Sequence, residues 1–249
     1  MAQTAIVTGA ARGIGLATAR LMMERGWRVA MIDRDAPALE AAAAGQDAAT
    51  AIDCDVSAPE QVAAMMTRVE AQFDKLDALV NNAGVADFGP LEETDFARWR
   101  AVMATNLDGA FLCSQAATPL LRAAQGAIVN IGSISGLRAS TLRVAYGTSK
   151  AAVMHLTRQQ AAELGEYGVR ANCVCPGPVR TKLAMAVHSR EIIDAYHDAI
   201  PLNRYGTELE IAEVIAFLCS PAASYVTGQI IAADGGFEST GVGLPALRR

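Results

Sequence analysis

The chain has 249 residues, 52% of them hydrophobic and 19% charged, with a formal net charge of −5. That supplies material for a core and excludes disorder, and the acidic balance excludes the basic stripe of a nucleic-acid binder. No stretch approaches about 18 uninterrupted apolar residues, so no membrane span is expected.

The opening residues run from Met1 directly into an apolar strand and a glycine turn, without the charged and long apolar regions of a secretory signal. Cys54, Cys113, Cys173, Cys175 and Cys219 are odd in number and lack metal-ligand spacing. They read as small hydrophobes of a cytoplasmic protein, and Cys173-x-Cys175 is one residue short of a redox pair.

Residues 4–7 form an apolar β run that opens into Thr8-Gly9-Ala10-Ala11-Arg12-Gly13-Ile14-Gly15, followed by a helical pattern (Ile14, Ala17, Leu21, Met22) that stops at Gly26. Strand, glycine turn and helix suit a pyrophosphate, because the backbone approaches closely and the helix N-terminus offers N–H groups. The spacing is Gly-x-x-x-Gly-x-Gly, neither the common dinucleotide fingerprint nor a Walker loop. By itself the turn fits a structural role as well.

A second strand, 28–32, ends in Asp33, about 20 positions beyond the glycines, where a carboxylate can accept from adenosine ribose hydroxyls and repel a 2′-phosphate. This favours NAD over NADP. Arg34 pulls the other way, and Asp33 is equally placed to cap a helix over 36–44. A third strand (49–54) closes in Asp55-Val56, where a carboxylate can meet an adenine amino group. Ser57-Ala58-Pro59-Glu60 spells a capping box for a helix over 58–73 with an apolar stripe at Val62, Met65, Met66 and Val69.

A fourth strand (76–80) ends in Asn81-Asn82-Ala83-Gly84, whose asparagines can satisfy neighbouring backbone while the small residues leave room for a flat ligand. A long helical region (95–123) carries Asn106, unfavourable in an apolar pattern unless its amide is used. The apolar run 127–132 is a fifth strand, ending at Ser133. In the next helix Tyr146 and Lys150 stand four apart on one face, as many surface pairs do. A phenol ordinarily titrates near pH 10, and a neighbouring cation favours its charged form. Strand six (169–175) breaks at Pro176-Gly177-Pro178, with Val179 and Thr181 beyond. Residues 182–200 read as a lid bearing His188, Tyr196 and His197. A helix at 207–218 and a strand at 230–233 turning at Asp234-Gly235-Gly236 complete the pattern. This alternation predicts an α/β fold: one doubly wound, Rossmann-type parallel sheet of seven strands with helices on both faces, in a single domain over 1–249.

Taken together, the Thr8-to-Gly15 turn, Asp55-Val56, Asn81 to Gly84, Asn106, Ser133, Tyr146-x-x-x-Lys150, Pro176-Gly177 with Thr181 and Asp234-Gly235-Gly236 resemble the classical short-chain dehydrogenase/reductase family. The resemblance spans nearly the whole chain. It implies strand order 3-2-1-4-5-6-7, a homotetramer and hydride transfer between a nicotinamide cofactor and a secondary alcohol or ketone. It makes Tyr146 the general acid/base, Lys150 the cation that eases its ionisation and holds the nicotinamide ribose, Ser133 the orienter of the substrate oxygen, and Asn106 the support of a water relay toward Lys150. Cofactor contacts are implied for Gly9, Arg12, Gly13, Ile14 and Gly15 (pyrophosphate), Asp33 (ribose), Asp55 and Val56 (adenine) and Asn82, Ala83 and Gly84 (adenosine side). Pro176, Gly177, Val179 and Thr181 frame the nicotinamide.

Two rivals differ from a sugar or polyol dehydrogenase. One is a 3-oxoacyl thioester reductase, which wants NADPH and a basic entrance, with Arg138 and Arg143 as candidates. The other is a cofactor-binding regulator without chemistry. Thr141, His188 and Tyr196 suit a small hydroxylated substrate, and the tail 238–249 is expected to cover an interface or a neighbouring site.

Overall fold

The computed structural model describes residues 2–181, 185 and 188–241. Strands β1 (Thr4–Thr8), β2 (Arg28–Asp33), β3 (Ala49–Asp53), β4 (Ala78–Asn81), β5 (Ala127–Ile131), β6 (Arg170–Pro176) and β7 (Ile230–Ala233) form one sheet in the order β3-β2-β1-β4-β5-β6-β7. Every pairing is parallel. The strands therefore deliver their carboxyl ends to one edge, and the order reverses between β1 and β4, where such sheets open a crevice.

Helices cover both faces. Alternate residues of the central strands point opposite ways. Val7, Met31, Val80 and Val129 pack with Ala19 and Met22 of α1 (Gly13–Glu24) and with Ile211, Ile215 and Leu218 of a late helix, Glu208–Cys219. Ile6, Ile32, Leu79 and Ile128 face the other layer, against Val62, Met65 and Val69 of α3 (Pro59–Glu70) and Cys113, Ala117 and Leu121 of α5 (Gly109–Ala124). The helix α2 spans Ala36–Ala43, α4 Phe96–Met103, α6 Ile134–Leu137 and α7 Val144–Leu164. In chain order, α8 is Arg190–Ala199 and α9 is Glu208–Cys219.

Three expectations are corrected. Asp33 does not cap α2: Asp35 does, accepting from the Ala38 N–H at 3.3 Å, because Asp33 still belongs to β2. Ser57 closes no capping box; its hydroxyl donates to Asp55 at 2.7 Å, and α3 starts from Ala58 without a side-chain cap. The long helix over 95–123 is two α-helices joined by a π turn, Ala104–Asp108, that contains Asn106. Of the expected lid, 182–184, 186 and 187 lie outside the described residues, and its remainder holds α8; residues 242–249 of the tail also lie outside them. All five cysteines are free and buried.

Arg170, unremarked in the sequence, ties α9 to the sheet. Its half-buried guanidinium donates to the carbonyls of Leu218 (2.8 Å), Ser220 (3.2 Å) and Val226 (3.4 Å). Removing these donors strands buried acceptors, so Arg170→Met is expected to lower stability by about 2–3 kcal/mol. The urea midpoint, followed by tryptophan fluorescence, measures it; an unchanged midpoint refutes the tie.

Candidate active site

The glycine turn is held by the neighbouring strand. The Thr8 hydroxyl accepts from the N–H groups of Asn82 (3.0 Å) and Ala83 (2.9 Å), and the Asn82 amide donates to the carbonyls of Thr8 (2.9 Å) and Gly9 (3.1 Å). Space here is exhausted. A Cβ on Gly15 would lie 2.2 Å from the Gly9 carbonyl oxygen, and Gly9, at φ +66°, has the Asn82 amide and Ala83 backbone against it. α1 then begins at Gly13, after Arg12 at the N-cap position and with no side-chain cap, so its first N–H groups are open to an anion.

At the end of β2, one Asp33 oxygen accepts from the Ala11 N–H at 3.0 Å and the other from the Asp35 N–H at 3.1 Å. The carboxylate is thereby fixed beside the glycine turn with lone pairs to spare. Arg12 turns outward, its side chain 63% exposed and ion-paired to Asp35, whose carboxyl it holds below its usual range. Asp55 accepts from the Ser57 N–H and hydroxyl, with the Arg34 guanidinium 3.9 Å away. Burial pushes its carboxyl up, but the Ser57 bonds and Arg34 leave it lowered. Val56 packs against Gly109, where a Cβ would lie 2.7 Å from its Cγ2.

The other half gathers at the ends of β4, β5 and β6. Lys150 is 5% exposed, and its Nζ donates to the Ile131 carbonyl at 2.7 Å, so α7 is pinned to the last residue of β5. The ammonium lies 5.8 Å from the centre of the Tyr146 ring. Ser133 is 7% exposed, and its Oγ accepts from the Ser135 N–H at 3.1 Å, which leaves its own proton to donate elsewhere. Asn106 is 2% exposed with its amide spent: Oδ1 accepts from the Val85 N–H (2.8 Å), and Nδ2 donates to the Val85 carbonyl (3.0 Å) and the Ser149 hydroxyl (2.9 Å). Ser149 in turn donates to the Tyr146 carbonyl at 2.7 Å. A Cβ on Gly84 would sit 3.3 Å from Asn106 Oδ1 and 3.4 Å from Lys150 Nζ, so both flank that glycine.

Ser133, Tyr146 and Lys150 line one cleft of about 260 Å³, which Ile14, Asn82 and Gly84 reach from the glycine turn. Pro176, Gly177, Val179 and Thr181 line it as well. Asp33, Asp55 and Arg12 lie outside it. A larger cavity of about 440 Å³ near Arg204, Glu210 and Asp234 holds none of the Ser, Tyr and Lys set, and its Glu210 is paired to Arg204 at 2.5 Å.

His188 and Tyr196, expected from the sequence as lid residues, line the cleft, and Tyr205, which the sequence reading did not single out, packs against both. The His188 ring meets the Tyr205 hydroxyl at 2.9 Å and stacks on Tyr196. Burial, then the nearby Arg143 cation, pull the imidazole below its usual pKa, and burial pushes the Tyr205 phenol up to about 12. Arg138 donates to the carbonyls of Phe237 (3.0 Å) and Glu238 (3.4 Å), which ties the segment after β7 to the loop before α7.

The fold and this cleft define an oxidoreductase of the nicotinamide-dependent kind. The family model described as enoyl-(acyl carrier protein) reductase matches residues 9–238, and the chain belongs to the short-chain dehydrogenase/reductase family. It is 44% identical over 239 residues to galactitol 2-dehydrogenase (L-tagatose-forming) of Cereibacter sphaeroides, with 94% of each chain covered. It is 39% identical to the 3-oxoacyl-[acyl-carrier-protein] reductase of Staphylococcus aureus, covering 95% of this chain and 98% of that one. A solved structure from Agrobacterium tumefaciens, described as a candidate gluconate dehydrogenase, superposes with a TM-score of 0.91 at 33% identity, with 96% of each chain covered. Such enzymes act on alcohols with a nicotinamide cofactor.

The crowding at Gly15 makes a direct test. Overpacking of this kind costs about 1–3 kcal/mol, so Gly15→Ala is expected to weaken NADH binding by roughly tenfold or more. Gly165, whose Cβ direction is open, is the control. Equal affinities in fluorescence titration would show that the turn does not shape the cofactor site.

Proposed function

We propose that the chain is an NAD-dependent dehydrogenase of small hydroxylated secondary alcohols such as sugars or polyols. The observation that carries this reading is the convergence of Ser133, Tyr146 and Lys150 in a cleft that the glycine turn also enters. The uncapped start of α1 fits a pyrophosphate, and the wall at Asn82 and Gly84, where the glycine has no side chain, fits a flat group. The Asp33 carboxylate favours a ribose hydroxyl over a phosphate, and Arg34 leans toward Asp55 rather than standing free.

Within the cleft, the Ser133 hydroxyl donates to the substrate oxygen and holds it toward Tyr146, which in its phenolate form takes the alcohol proton during oxidation and becomes the phenol. Lys150 spends one N–H on Ile131 and keeps two. These are assigned to the ribose of the cofactor and to water that returns the proton to solvent. The Asn106 side chain holds Val85 and, through Ser149, the first turn of α7. Asn106 therefore keeps Tyr146 in place, and its part in the relay falls to its main chain, where the π turn departs from α-helical bonding. A bound nicotinamide supplies the hydride acceptor.

Reduction of 3-oxoacyl thioesters is the second reading, favoured by the S. aureus relative and by the description of the family model. Arg138 supports it poorly, since its guanidinium is engaged by main-chain carbonyls. Among the described residues no helix is long and apolar enough to cross a membrane. We assign the protein to the cytoplasm. The exposed Phe96, Phe111 and Phe217 on α4, α5 and α9 suit contacts in a homotetramer.

The purified protein is expected to reduce NAD⁺ with secondary alcohols. Removal of the proton acceptor in Tyr146→Phe should lower kcat by about 10²–10⁴-fold with NADH affinity retained. Turnover confined to NADP⁺ would overturn the Asp33 assignment and favour the acyl reductase. NADH binding without turnover on any alcohol or oxoacyl substrate would favour a cofactor-sensing regulator.

A further inference from the structure

Arg143 stands at the rim of the cleft with its charge unanswered. It immediately precedes α7, three residues before Tyr146, and its guanidinium carbon lies 5.8 Å from the centre of the Tyr146 ring and 4.6 Å from that of Phe88. None of the ion pairs among the described residues includes it. Asp87, close by in sequence to Phe88, is held by Arg98 at 2.9 Å. Among the described residues no carboxylate lines the cleft, whose charged side chains there are Arg143 and Lys150, and Lys150 is buried against Ile131. Contact with the Phe88 and Tyr146 rings steadies a guanidinium but leaves its five donors and its charge uncancelled.

The backbone holds Arg143 there by several devices. Leu142 sits at φ +60°, a left-handed conformation uncommon for a residue other than glycine, of the kind that clusters at ligand clamps. Gly89 N–H donates to the Leu142 carbonyl at 3.0 Å, and Gly147 N–H to the Arg143 carbonyl at 2.7 Å. Gly89 and Arg143 form an isolated bridge that ties the rim to the loop after β4. α7 starts at this point with no side-chain cap, so its positive end lies on the same side. Across the rim His188, bound to Tyr205, is close enough to feel the Arg143 charge.

We infer that the substrate carries a carboxylate a few carbons from its reacting carbinol, and that Arg143 seats this group while Tyr146 and Ser133 meet the hydroxyl. The substrate class is then hydroxy acids, open-chain sugar acids included, in preference to neutral polyols. A guanidinium fork matches a carboxylate in two parallel hydrogen bonds, which fixes both the position and the direction of a short molecule. This assignment rests on the dehydrogenase reading above and names its substrate.

The test compares matched pairs with NAD⁺ and with NADP⁺: 3-hydroxybutyrate and 4-hydroxypentanoate against their carboxamides, and xylonate against xylitol. The acid is expected to exceed its neutral partner by about tenfold or more in kcat/KM, close to what one charge-assisted contact supplies. Arg143→Gln should bring that ratio near one, chiefly through KM of the acid, and Arg143→Lys should restore part of it. A merely structural role would move acid and amide together. Neutral members used as well as the acids, or a ratio unchanged in Arg143→Gln, would overturn the inference. Absence of turnover throughout would fail the dehydrogenase reading instead. The anion seat is then read by titration calorimetry of glutarate into the NADH-loaded protein, where binding lost in Arg143→Gln upholds it and no binding to the unaltered protein refutes it.

Discussion

An ammonium buried without a carboxylate partner is the constraint on which the cleft depends. Lys150 is taken almost wholly out of water, and its Nζ meets the carbonyl of Ile131, the last residue of β5. A charge in such a place is costly unless hydrogen-bonded, so α7 cannot slide along the sheet without exposing that cost. The bond therefore sets the height of Tyr146, one turn earlier on the same helix, relative to Ser133, two residues beyond the same carbonyl. Three groups from two elements are placed by one contact.

Around that contact the protein uses neutral polar networks rather than ion pairs. Asn81 at the end of β4 donates to Asn130 of β5 at 2.8 Å, and Asn130 donates to Thr157 and Gln160 of α7. Asn106 and Ser149 form a second tie, from the π turn to the first turn of α7. Each link directs a side chain without adding a net charge that would compete for an anionic or hydroxylated ligand. The glycine turn is fixed in the same manner, by the Thr8 hydroxyl and the Asn82 amide. Among the described residues the charged side chains of the cleft are Lys150 and Arg143, so this lining is cationic although the chain is net acidic. That contrast draws an anion into the cleft and away from the remaining surface.

Much of this was legible before any coordinates. The seven strands emerge within a residue or two of their apolar runs, because a strand buried on both faces must be continuously hydrophobic. Tyr146 and Lys150 share a helix face by spacing alone. Assignments that depended on which of two similar residues takes a given bond went astray. The cap on α2 fell to Asp35 instead of Asp33 because β2 ends between them, and Ser57 bonded back to Asp55 instead of forward onto α3. Arg138 and Arg143 were indistinguishable as basic residues of one loop, yet one is bound by the segment after β7 and the other faces the cleft.

The sequence by itself determined the alternation of strands and helices, the glycine turn and the shared helix face of Tyr146 and Lys150. Those features are written in local periodicity and turn chemistry, which a few neighbouring residues decide. Tertiary structure alone decided that Asn106 spends its amide on residues 21 and 43 positions away, and that Arg138 is captured from a distance of 99. It also decided that Arg143 is left over. A side chain's partner is whichever group the packed chain brings within hydrogen-bonding distance, and the folded topology, not sequence spacing, sets that distance.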